Sequence, residues 1–230
     1  MKIRNLSFGY GDKTVLDNIS LDFSPDKVNV ILGQNGAGKT TLFDLISGAL
    51  DSKGGIIDAP REEEVVYQLQ SVPFLYILKG KDIVKLFFQT DFRSKDAKSA
   101  FKTLDQREEF LLKKLWETPY GKMSLGERRW LIVSLICQMD RKVYIFDEPT
   151  SGVDPDSRIK ILKRIEDLAK KDGRLVLMST HILHELEYVD SWLYLLNGGT
   201  ISFQGSYTGF LEETGTTNPD VAFNILIGVM

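Results

Sequence analysis

The sequence predicts an α/β fold with a mainly parallel sheet, an N-terminal antiparallel β layer and an inserted α-helical subdomain. Three observations carry this. The apolar run Val28-Asn29-Val30-Ile31-Leu32 passes through a glycine-rich loop into an apolar-periodic helix at about residues 40–47, the strand, loop, helix unit of a parallel sheet. Before it, residues 2–8 and 15–23 read as two strands joined by the turn Gly9-Tyr10-Gly11-Asp12, an antiparallel edge layer. Between about residues 71 and 123 the pattern changes to helical spacing with dense charge, as in residues 82–88 and 106–116.

Beyond that insertion the α/β alternation resumes. Residues 124–138 read as a helix, 143–146 as a buried strand, 155–170 as an amphipathic helix and 175–178 as another strand. Residues 191–196 and 200–203 flank Asn197-Gly198-Gly199, a hairpin signal with a turn that accepts positive φ. With 230 residues and 43% apolar content, one medium domain with an inserted lobe fits better than two independent ones.

A net charge of −3, from 29 basic and 32 acidic residues, provides no basic field for a phosphate backbone, so nucleic acid is not expected as a partner. The single cysteine, Cys137, lies in an apolar stretch and reads as a small buried residue. No apolar run approaches the ~20 residues that span a bilayer, and the N-terminus lacks the apolar core of a secretion signal. A membrane role would act through a partner that spans.

Gly33-Gln34-Asn35-Gly36-Ala37-Gly38-Lys39-Thr40 satisfies the P-loop pattern directly after a predicted strand. Glycines let the backbone wrap closely enough for successive amides to face a β-phosphate, and the following helix adds its dipole. Lys39 brings a full charge to the β- and γ-phosphates, Thr40 is placed to ligate magnesium, and the ATP-binding set extends to Thr41. Downstream, Lys142-Val143-Tyr144-Ile145-Phe146-Asp147-Glu148 sets two acids at the end of an apolar strand, where a parallel sheet meets its ligand. Asp147 suits magnesium, and Glu148 suits polarising the attacking water.

From here the residues resemble the ATP-binding cassette of ABC transporters over nearly the whole chain. Asp147-Glu148-Pro149-Thr150-Ser151-Gly152-Val153-Asp154-Pro155 is similar to that family's Walker B segment running into its D-loop, and Ser179-Thr180-His181 to its switch histidine. The resemblance implies a P-loop NTPase (RecA-like) core over residues 1–70 and 124–215, the helical subdomain at 71–123 and a tail at 216–230. It gives His181 a part in holding the attacking water with Glu148, while His184 reads as a surface residue. Tyr10 sits where the family stacks an aromatic on adenine, a plain turn tyrosine being the alternative. Gln70 is similar to the Q-loop glutamine that senses magnesium, with Gln68 as the competing register. Pro73-Phe74-Leu75-Tyr76 then resembles the apolar surface that receives a permease helix, the alternative being packing within the lobe.

One motif departs from the family's pattern. The common leucine, serine, two glycines and glutamine of the signature become Met123-Ser124-Leu125-Gly126-Glu127. Ser124, Gly126, Glu127 and Asp154 are expected to meet ATP held by a second cassette. A Glu127 carboxylate within ~8 Å of those phosphates would repel them by roughly 0.5–2 kcal/mol. The relaxed signature, together with residues 205–213, resembles exporter-type cassettes.

The resemblance thus implies an ATP-hydrolysing motor on the cytoplasmic side of a membrane, peripheral to it. It would pair as a homodimer or heterodimer and drive a separate transmembrane permease through Phe74, Leu75, Tyr76 and the helical subdomain, with export favoured. The alternatives are a weakly hydrolysing regulatory cassette, suggested by Leu125 and Glu127, and a soluble non-transport ATPase. Nothing in the chain names a transported substrate, because the cargo touches the permease.

Overall fold

The computed structural model describes the chain apart from residues 53, 59, 71–73, 91–100, 102, 103 and 230. The first residue of the expected helical lobe and Pro73 therefore lie outside the described residues. The chain divides into two compact units, one of Met1–Tyr67, Arg141–Glu148 and Ile165–Met230, the other of Gln68–Asp140 and Pro149–Arg164.

The first unit contains both sheets. Strands β1 (Lys2–Tyr10), β2 (Lys13–Asp22) and β4 (Ile56–Ile57) form an antiparallel sheet in the order β2-β1-β4. Tyr10 pairs with Lys13, so only Gly11 and Asp12 turn, and Gly9 and Tyr10 belong to β1 instead of the expected turn. Gly9 is needed there because a Cβ would lie 2.5 Å from the Lys13 carbonyl oxygen.

The second sheet has the order β5-β6-β7-β3-β8-β9, built from β3 (Val28–Leu32), β5 (Val65–Gln68), β6 (Val143–Asp147), β7 (Leu175–Ser179), β8 (Ser191–Asn197) and β9 (Thr200–Ser206). Strands β6, β7, β3 and β8 run parallel, and β9 returns antiparallel through the Gly198-Gly199 turn. Strands β3 and β6 are buried along their whole length, which is why they read as unbroken apolar runs. Helix α1 (Lys39–Ser47) closes the core between the sheets with Leu42, Phe43, Leu45 and Ile46, packed with Ile3, Leu16 and Ile31. The predicted α/β class, with a mainly parallel sheet and an N-terminal antiparallel layer, is the fold observed.

The second unit is helical: α2 (Gly80–Thr90), α3 (Gln106–Trp116), α4 (Leu125–Ile136) and the first ten residues of α5 (Pro155–Ala169). Both α3 and α4 begin with capping boxes, Asp105 with Glu108 and Ser124 with Glu127. Glu108 does more than cap. Its buried carboxylate accepts from the Trp130 indole at 3.3 Å and pairs with Arg164 at 2.6 Å. Glu108→Ala would strand the Arg164 guanidinium, so urea unfolding should show a loss of about 3–5 kcal/mol. A loss under about 1 kcal/mol would mean that the pair does not hold this unit together.

The first unit ends in two short helices, α6 (Tyr207–Thr214) and α7 (Pro219–Leu226). Among the described residues no helix is long and apolar enough to cross a membrane.

Candidate active site

Register builds the site. Ser179 at the end of β7 stands opposite Ile31 of β3 on one side and Asp147 of β6 on the other. The segments beginning at Gly33, Glu148 and Thr180 therefore leave the sheet along one carboxyl edge, where open α/β sheets bind ligands.

The first of these is the glycine loop. Ala37 N–H donates to the Gln34 carbonyl at 3.1 Å, closing the turn. Gly38 then takes φ 105 and starts α1 without a side chain to cap it, so the first-turn amides of α1 are left for a ligand. Gly33 also admits no side chain, since a Cβ would meet the Leu196 carbonyl at 2.6 Å. Gln34, Asn35 and Gly36 are exposed along the loop, whereas Thr41 is buried in the helix. The Lys39 ammonium folds over the loop and donates to the Gly33 carbonyl at 2.8 Å and the Gln34 carbonyl at 3.1 Å. Burial pushes this ammonium below the ordinary lysine value, and the charges of Glu148 and Asp147 oppose that.

The acids converge on the same loop. Thr40 Oγ1 donates to Asp147 Oδ2 at 3.2 Å. A hydroxyl and a carboxylate so close are hard oxygen donors beside a phosphate loop, a set that fits magnesium shared with a substrate's phosphates. Among the described residues no cluster of three or more His, Cys, Asp or Glu is arranged as a metal site of its own. Ser179 Oγ donates to Asp147 Oδ1 and accepts the Glu148 N–H at 3.0 Å. That N–H also reaches the Ser179 carbonyl at 3.2 Å. These bonds hold Glu148 at φ 49, in the left-handed region, where a non-glycine residue costs about 1–3 kcal/mol. The twist sets its carboxylate 3.2 Å from His181 Nδ1. Sequence reasoning missed Ser179, although its position as the last residue of a strand beside the acidic one was readable.

Of the remaining candidates, Tyr10 is 53% exposed at the end of β1, held edge-on by Phe8 with ring centroids 5.2 Å apart. His184 lies on a short 3-10 turn and contacts Asp220 at 3.1 Å, both exposed. Cys137 is buried and unbridged.

In the second unit, Gln70 is exposed and its carbonyl accepts from Arg129, while Gln68 is buried with its amide turned onto the Leu69 carbonyl at 3.0 Å. Ser124, Gly126, Glu127 and Asp154 line one cavity. Gly126 is fixed there by packing, because a Cβ would lie 2.8 Å from the Gly152 carbonyl oxygen. Leu125 rests its side chain over Gly152, which carries none. Phe74 meets Tyr120 edge to face, with ring centroids 5.5 Å apart, and so packs within the lobe. Leu75 and Tyr76 are 67% and 70% exposed, and they continue into Ile77 at 80%, which the sequence alone does not single out.

Fold and site together define a P-loop nucleoside triphosphatase: a glycine loop with a lysine folded over it, beside a threonine–aspartate pair and a glutamate in contact with a histidine. Residues 16–151 match the ABC transporter family. The chain belongs to that family, as an ATP-binding, ATP-hydrolysing subunit. It is 28% identical over 222 residues to a lantibiotic transport ATP-binding protein of Streptococcus pyogenes, covering 93% of this chain and 94% of that one. To a hemin import ATP-binding protein of Vibrio parahaemolyticus it is 30% identical over 230 residues, with 91% and 86% covered. The solved structure of an ATP-binding subunit of an ABC transporter shares the fold at a TM-score of 0.81, with 22% identity and 98% of both chains covered.

Proposed function

We propose that this chain is the ATP-driven motor of a membrane transporter, working as a pair of cassettes on a permease carried by another polypeptide. The observation that carries the catalytic half is the 3.2 Å contact of His181 with Glu148 at the sheet edge that also bears the glycine loop. In this reading the loop amides from Gly33 to Thr41 and the Lys39 ammonium hold the triphosphate, and Tyr10 stacks on the adenine. Thr40 and Asp147 would hold magnesium, which when bound neutralises phosphate charge. Glu148 takes the proton of the attacking water, and His181 keeps that water and the carboxylate in line with the γ-phosphate.

Pairing uses the other unit. Ser124, Gly126, Glu127 and Asp154 of one cassette face the triphosphate held by its partner, so closure depends on ATP and hydrolysis releases it. The substitutions that suggested a weak regulatory cassette are accommodated here, Leu125 by the bare Gly152 and Glu127 by Lys114 at 2.7 Å. That supports a competent enzyme. Residues 205–213 and the relaxed signature favour export.

Leu75, Tyr76 and Ile77 form an exposed apolar segment suited to receiving a permease helix on the cytoplasmic face. With Leu75→Asp and Tyr76→Asp together, the chain should leave the membrane fraction of cells that express its permease. An unchanged membrane fraction would remove these residues from the docking role.

A further inference from the structure

The cavity at the signature turn measures about 380 Å³, and Arg107 and Lys114 of α3 line it together with Ser124, Glu127 and Asp154. The two cations are seven residues apart, two turns of helix, and share one face. Both are engaged by acids of this region. Arg107 reaches Asp156 at 2.7 Å and Asp154 at 3.8 Å, and Lys114 Nζ reaches Glu127 Oε1 at 2.7 Å.

Glu127 uses its second oxygen, Oε2, to accept the Ser124 N–H at 2.7 Å, while Ser124 Oγ accepts the Glu127 N–H at 3.2 Å. The hydroxyl therefore keeps its own hydrogen for an anion. A glutamine at Glu127's position could make the same capping box without a charge. Glu127 brings a negative charge to a helix start whose amides otherwise favour anions. Partial burial resists that charge, yet Lys114 and the Ser124 N–H hold the carboxyl below its ordinary range.

We propose that Lys114 is a positioning residue for ATP-dependent pairing, cancelling the Glu127 charge so that the Ser124 hydroxyl and the α4 amides can accept the γ-phosphate presented by a second copy. This rests on the paired-cassette reading above. Without Lys114, Glu127 repels the incoming triphosphate. At about 8 Å, and for a dielectric between 80 and 20, the penalty is about 2- to 30-fold per nucleotide site, and it enters twice in a symmetrical pair.

The test uses the full chain carrying Glu148→Gln, with dimer followed by light scattering against Mg·ATP concentration. Adding Lys114→Met should raise the ATP needed for half-dimerisation by about 2- to 30-fold or more, and the defect should shrink as salt rises. Lys114→Arg should retain dimerisation, and Lys114→Met with Glu127→Gln should restore it, which a merely structural role for the lysine would not predict. Equal dimerisation with and without Lys114→Met, or no rescue by Glu127→Gln, overturns the inference. Should Lys114→Met fail to fold, Glu127→Gln alone decides. The freed Lys114 charge should then lower the ATP requirement, and an unchanged or higher requirement overturns the inference. A Glu148→Gln chain that never dimerises with ATP overturns the paired-cassette reading itself, and this inference with it.

Discussion

Lys39→Ala lowers the affinity for Mg·ATP by about 10- to 10²-fold, measured by fluorescence titration or calorimetry. The magnitude is that of taking a hydrogen-bonded ammonium away from phosphate, for which about 1.5–3 kcal/mol is usual. The geometry adds a reason why nothing replaces it. Lys39 is 8% exposed and arches over the glycine loop onto the Gly33 and Gln34 carbonyls. Alanine would leave two carbonyl oxygens and the Asp147 and Glu148 charges facing the phosphates. Unchanged affinity would take the glycine loop out of nucleotide binding.

Glu148→Gln separates binding from turnover. Steady-state phosphate release should fall by about 10²–10⁴-fold, the usual worth of a general base, while ATP remains bound. The amide has the carboxylate's shape, so the backbone bonds to Ser179 that hold φ at 49 are kept, and only the proton acceptor goes. ATP should accumulate in a long-lived dimer. Normal turnover from this variant would move the catalytic base elsewhere.

The chain showed most plainly what repeats a physical pattern. Residues 28–32 and 143–147 are buried on both faces, and such strands appear in a sequence as apolar runs ending at the ligand edge. The glycine loop was legible because its spacing is dictated by phosphate size. Contacts between side chains far apart in sequence were not. Lys114 and Glu127 lie 13 residues apart on different helices, so the Glu127 charge looked uncompensated in the sequence. Gly9 and Tyr10 read as turn residues because glycine and tyrosine beside Gly11 suggest one, yet pairing with Lys13 and Thr14 draws them into β1. Phe74 could not be told from its neighbours by sequence; a ring partner far along the chain, Tyr120, takes it into the lobe while Leu75 and Tyr76 stay outside.

Ser179 spends its single hydroxyl twice, giving its hydrogen to Asp147 and taking one from the Glu148 backbone. The proposed metal ligand and the proposed base thus share a common pin. A displacement of β7 would therefore reach the Asp147 carboxylate and the Glu148 backbone together, coupling the two halves of the proposed chemistry.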